Sequence, residues 1–261
     1  MKRISLLFPL FFLLIGCNIT FFLNDGWEES TMGATALDTE LIFRQEYLRG
    51  LHREGKLSED ENLHETESLA YYIQTEGSSF YVTFFGTSNV TGVYYDMVHW
   101  KEPFWTDVDP EIRVHAGFNR PFQTVATSIR DELQLFLDTN PVDPSVYILG
   151  HSSGGIQAVL CSFYLVQEIP ETEISTLYCQ TGGAPAPGNR NFAAAFNQES
   201  RITCHRYING SDMVPSLFTP EMGYAHVGQP YRIGSEPNFM ISSTGLWLGD
   251  HFIEDYAESL R

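Results

Sequence analysis

The sequence predicts an α/β fold with a mostly parallel central sheet and helices on both faces. Three observations carry that prediction. Short runs rich in β-branched and aromatic residues alternate with stretches whose apolar residues recur at helical spacing. One passage from strand to helix, ILGHSSGGIQAVL at 148–160, is crowded with small residues, so the chain turns sharply there. The 261 residues are 43% hydrophobic and 14% aromatic, enough for one large core.

The elements follow in chain order. Lys2 and Arg3 precede an apolar stretch over 4–15, broken by Pro9, which is a secretory signal pattern over 1–17. It leaves 18–261 as a single domain. Leu14-Ile15-Gly16-Cys17 resembles a bacterial lipobox, with Cys17 as the lipidated first residue of the mature chain. Ordinary cleavage and an uncleaved anchor are the alternatives. The apolar stretch, interrupted by Asn18 and Thr20, barely reaches the roughly 20 residues a span requires.

A helix is predicted over 38–51 with Asp38 as candidate cap, then strands over 68–73 and 80–85 joined through Gly77. Val125, Ile129, Leu133 and Phe136 share a face of a helix over 124–137, which Pro141 and Pro144 stop. Strand 145–149, helix 155–166, strand 177–181, helix 189–197 and strand 202–208 follow, with a short helix after His251.

The formal net charge of −18 argues against nucleic acid as a partner, because phosphate-backbone binding needs clustered Lys and Arg. It also disfavours docking on an anionic membrane by charge, and it serves solubility. Cys161, Cys179 and Cys204 read as buried free thiols, with a Cys179–Cys204 bridge as the alternative in an exported chain. No Cys/His spacing suggests zinc. Asn18, Asn89 and Asn209 open sequons that matter only in a eukaryotic host.

Gly150-His151-Ser152-Ser153-Gly154 is a G-x-S-x-G between a strand and a helix, the arrangement that lifts a serine hydroxyl onto a strained turn at a helix N-terminus. The bare pattern arises by chance about once in ten chains of this length; the flanking elements make it far more specific. A serine needs a base to take its proton and an acid to orient the base. Asp212 follows a strand and the turn-forming Asn209-Gly210, and His251 precedes the last helix. Asp250 and Asp255 compete as acids, although their nearness in sequence to His251 makes them awkward orienters. His226 competes as base. His205 falls inside a strand run and reads as structural, and His151 points away on the elbow.

Six blocks in order resemble the fungal-type class 3 lipases, a triacylglycerol lipase family with the α/β-hydrolase fold. They are Phe84-Phe85-Gly86-Thr87, the GVYYDM stretch with Asp96, Val114-His115-Ala116-Gly117-Phe118, the elbow over 150–155, the block over 183–192 and the block over 209–215, followed by His251. The resemblance implies Ser152 as nucleophile, Asp212 as orienting acid and His251 as base. It also implies an oxyanion hole from Ser153 and Thr87, and a lid over 88–97. Phe85 stands where the family has arginine, Ser153 where it has leucine, and Gly92-Val93 where it has asparagine-tryptophan.

These readings imply an exported serine hydrolase of carboxylic esters, foremost a triacylglycerol lipase working at a lipid-water interface on acylglycerol or other esters. No metal or organic cofactor is required. A short-chain or feruloyl-type carboxylesterase is the alternative within that class. A catalytically inactive, surface-anchored binding protein on the same fold is the alternative outside it.

Overall fold

The computed structural model describes residues 34–86, 100–105, 109–139, 141–234 and 250–261. The expected signal over 1–17 with Cys17, Thr87 of the expected oxyanion hole, and the expected lid over 88–97 lie outside the described residues.

Helix α1 (Ala36–Arg53) is capped by Thr35, not by Asp38. The Thr35 hydroxyl accepts the Asp38 N–H at 3.1 Å, and the Asp38 carboxylate accepts the Thr35 N–H at 3.1 Å. Asp38 thus closes a reciprocal capping box from the third helical position. Strands β1 (Leu63–Glu65), β2 (Ala70–Glu76) and β3 (Ser79–Phe84) are antiparallel neighbours. The β2–β3 hairpin turns through Gly77, whose φ of +58° suits a residue without Cβ.

Strands β4 (Lys101–Pro103) and β5 (Arg113–His115) form a separate two-stranded ribbon. Helix α2 (Ala116–Leu137) follows β5 without a loop, beginning eight residues before the 124 that periodicity predicts. Pro121 hides its first turns: proline removes one helical hydrogen bond, which burial of Phe118 and Phe122 in that segment offsets. Strand β6 (Ser145–His151), helix α3 (Ser153–Glu168), strand β7 (Leu177–Gly182), helix α4 (Arg190–Gln198) and strand β8 (Ile202–Asn209) match the predicted alternation. Strand β9 (Gln229–Ile233) and helix α5 (Ile253–Glu258) complete the described strands and α-helices, with short 3-10 turns at Val214–Ser216 and Pro220–Met222 between β8 and β9.

Seven of the strands join one sheet in the order β1-β2-β3-β6-β7-β8-β9, parallel from β3 onward. Side chains alternate between its faces. Phe80, Val82, Ile148 and Cys179 pack with Phe122 and Ile129 of α2 and with Leu160 and Phe163 of α3. A fully buried side chain of this kind contributes about 1.5–3 kcal/mol. On the opposite face, Tyr81 and Leu149 pack against Leu41 of α1, and Tyr207 and Tyr231 against Ile42 of α1 and Ile253 of α5.

That second face also holds a buried polar cluster. The Asp38 carboxylate, fully removed from solvent, accepts hydrogen bonds from Tyr178 Oη and, at 3.2 Å, from Gln180 Nε2, and lies 3.0 Å from His205 Nδ1. Burial alone would raise its pKa, but hydrogen bonds from His205, Thr35 and Tyr178 outweigh that and hold it well below the usual carboxylate range. His205 is therefore a structural histidine that ties α1 to the sheet. Cys161, Cys179 and Cys204 are free and buried, the last two in register on adjacent strands.

Candidate active site

The parallel strands end at one edge of the sheet, and the segments leaving β6, β7 and β8 converge there. Ser152 sits between β6 and α3 at φ 59°, ψ −130°, a conformation that a side chain rarely adopts. Its N–H donates to Gly182 O at 2.8 Å, and Gly155 N–H donates to its carbonyl at 2.9 Å, so the turn is pinned from both sides. The flanking glycines answer to close approach. A Cβ at Gly150 would meet the Gly154 carbonyl, and one at Gly154 the Phe84 carbonyl. Ser153 is the first residue of α3, whose N-terminus carries the positive end of the helix dipole.

Asp212 leaves β8 through the Asn209-Gly210 turn, its N–H donating to Asn209 O at 2.9 Å. His251 precedes α5. The structure brings Ser152, His251 and Asp212 together. His251 Nε2 lies 2.9 Å from Ser152 Oγ, and His251 Nδ1 lies 3.0 and 2.9 Å from the Asp212 carboxylate oxygens. With Nδ1–H donating to the carboxylate, Nε2 is left to accept the serine hydroxyl proton. Asp212 and His251 are each 8% exposed.

The carboxylate has two further donors. Tyr256 Oη donates to Oδ2 at 2.6 Å and Val214 N–H to Oδ1 at 2.9 Å. Burial, with the neighbouring Asp212 charge, pushes the Tyr256 phenol well above its usual range, which keeps it a donor. Gly183, at φ +60°, passes so close that a Cβ there would stand 2.8 Å from Asp212 Oδ2 and 3.1 Å from His251 Nδ1. Tyr256 does not stand out in the sequence, where a lone tyrosine on a short helix reads as core; Gly183 opens the block over 183–192, but that block assigns it no part in the site.

The competing candidates have other partners. The Asp250 carboxylate accepts from Ser211 N–H at 2.8 Å and Ser211 Oγ at 2.5 Å, and Asn209 Nδ2 donates to its carbonyl at 3.2 Å. Asp255 accepts the Phe252 N–H. His226 Nε2 donates to Pro215 O at 2.8 Å. His151 does not reach the Ser152 hydroxyl, but its ring lies 4.9 Å from that of His251 and 5.4 Å from that of Tyr256. Burial first, then the adjacent His251, drives its pKa well below the ordinary histidine value. Phe85 stacks on His52 at 4.5 Å within an apolar cluster of Leu48, Leu57 and Tyr72.

The profile of the family described as Lipase (class 3) matches residues 81–222, a stretch holding both Ser152 and Asp212. The chain belongs to the class 3 lipase family. A lipase from Rhizopus niveus is 30% identical over 150 residues, 57% of this chain and 37% of the relative, so this chain matches just over a third of that protein's length. A secreted mono- and diacylglycerol lipase from Malassezia globosa is 23% identical over 199 residues, 72% of this chain and 58% of the relative. Among solved structures, lipase II from Rhizopus niveus superposes with a TM-score of 0.64 at 21% identity, covering 77% of this chain and 82% of that one. The fold is the α/β-hydrolase fold of this family, with a mostly parallel sheet and helices on both faces.

Proposed function

We propose that this chain is an exported serine hydrolase of carboxylic esters, foremost a triacylglycerol lipase. The observation that carries the reading is the continuous hydrogen-bonded path from Ser152 Oγ through His251 to Asp212. His251 Nε2 takes the hydroxyl proton while Ser152 Oγ attacks the ester carbonyl carbon. The negative charge moves to the carbonyl oxygen, which the Ser153 and Thr87 donors hold, each contributing about 3 kcal/mol to the transition state. His251 returns its proton to the departing alcohol, leaving an acyl-Ser152. Water, deprotonated by His251, then attacks the acyl carbon and frees the acid and Ser152. Asp212 holds the imidazole in the right tautomer throughout, and no cofactor takes part.

Acylglycerol at a lipid-water interface is the substrate we assign, supported by family membership and by the names of the relatives. We assign residues 18–261 to one catalytic domain. Residues 1–17 direct export, either to secretion or to membrane anchoring through Cys17.

Hydrolysis of p-nitrophenyl esters of increasing chain length by the wild type and Ser152→Ala tests the reading. Equal turnover by both proteins rejects it. Turnover that jumps once substrate exceeds its solubility marks the lipase, and its absence the short-chain or feruloyl-type esterase. Failure of a fluorophosphonate to label the folded protein would leave the inactive binding scaffold.

A further inference from the structure

Among the described residues, strand β8 carries a cation without a counter-charge. Arg206 is 8% exposed, and its Nε and Nη1 are buried with no hydrogen-bond partner. Among the described residues, the groups that act on it electrostatically are Cys204, Tyr256 and Arg232. The first two are buried and resist ionisation, and the third has the same sign. Burial lowers the guanidinium to about 10, which still leaves it charged at neutral pH. A buried charge in this condition is costly unless something pairs with it.

Arg206 lines a pocket of about 470 Å³ whose other walls include Pro215, Leu217, Phe218, Tyr224 and His226. None of Ser152, Asp212 and His251 lines it. The pocket holds a second unsatisfied polar atom. Because His226 Nε2 donates to Pro215 O, its Nδ1 is an acceptor, and that atom is buried without a partner. Unpaired cationic donors and one unpaired acceptor therefore lie just behind the wall of this pocket, whose lining is otherwise mainly apolar, with Ser216, Thr219 and Gln229 as further polar residues. Simple phosphate would leave the wall bare, and a neutral alcohol would leave the charge unpaired.

We propose that this pocket binds a monocarboxylate with an apolar tail, its carboxylate on the Arg206 guanidinium and its tail along Leu217, Phe218 and Tyr224. His226 Nδ1 accepts from a hydroxyl on the same ligand, so a hydroxylated acid binds more tightly than the plain one. The inference does not require turnover and stands apart from the Ser152 chemistry.

Calorimetric titration of the full chain, with Ser152 first blocked by a fluorophosphonate or replaced by alanine, tests it with octanoate, 3-hydroxyoctanoate, octanol and inorganic phosphate. Octanoate is expected to bind at one site, 3-hydroxyoctanoate more tightly, and the other two not measurably. Arg206→Met is expected to weaken octanoate at least about tenfold, the loss of a charge-assisted pair. Because that variant removes an unpaired buried charge, its Tm without ligand should equal or exceed the wild-type value. Arg206→Lys, which keeps the charge, should retain part of the affinity. Octanoate binding unchanged in Arg206→Met, or phosphate binding as well as octanoate, would overturn the proposal. Equal affinity for the two acids would remove His226 from it.

Discussion

Tyr256 Oη and His251 Nδ1 share the Asp212 carboxylate, at 2.6 Å and 2.9 Å from Oδ2. The residue that donates to the acid thus sits five positions after the base, on the helix that the base introduces. Tyr256 is a positioning residue in this arrangement. Tyr256→Phe keeps the buried ring and removes one charge-assisted hydrogen bond, worth about 1.5–3 kcal/mol. Expected is a fall in kcat of about tenfold or more with KM little changed, together with a shifted acid limb of the pH–rate profile. A purely structural tyrosine would lower Tm and leave that limb in place.

Replacing Asp212 by asparagine preserves the shape of the site and loses the acceptor that orients His251. By analogy with other Ser-His-Asp enzymes, kcat on a p-nitrophenyl ester should drop about 10⁴-fold. Fluorophosphonate labelling should slow in parallel.

The strained backbone at Ser152 makes a prediction that separates stability from activity. Residues held in such conformations cost about 1–3 kcal/mol. Ser152→Gly relieves that strain, offset in part by the greater freedom of glycine in the unfolded chain. Its Tm should rise by about 2–4 °C while activity disappears. A Tm below that of the wild type would show the turn to be unstrained.

Acid should act on this fold in two stages. His226 is held down to about 3 by burial and the nearby Arg206 charge, and His151 is also lowered. A histidine with a depressed folded pKa stabilises fully above its unfolded value of about 6.5, and that stability is lost as pH falls below it. Tm should therefore begin to decline near pH 6.5. Asp38, also depressed, contributes stability above the unfolded carboxylate value of about 3.9 and loses it as pH falls further. Melting curves from pH 8 to 3 should show His226→Gln flattening the first stage and Asp38→Asn the second.

Phe85→Arg restores the residue usual in the family at this position. In this chain it would bury a guanidinium among Leu48, Leu57 and Tyr72, so it should cost about 2–4 kcal/mol by urea denaturation. Near-neutral stability would mean that the His52 side of the cluster opens to admit the charge.

The strands and helices that meet at Ser152 were legible because each has a strong period and sits between glycines or prolines. The convergence of Ser152, Asp212 and His251 was legible only as an order along the chain, since distance in space leaves no local trace. Other features left weak signals. Pro121 masked the start of α2. Strand β9 is absent from the predicted strands, since Pro230 interrupts its short run at a sheet edge. Asp38 looks like a helix cap because short polar residues favour that position. Its partners Tyr178, Gln180 and His205 lie 140 or more residues away, and nothing near position 38 announces them.

The Asp250 carboxylate clasps Ser211, and one residue along each strand of that clasp stand His251 and Asp212. Asp212 and His251 are therefore linked twice, by their own hydrogen bond and by the one between their chain neighbours, so their mutual alignment does not rest on a single contact. The serine, on the turn between β6 and α3, meets this pair at His251 Nε2, 2.9 Å from its Oγ.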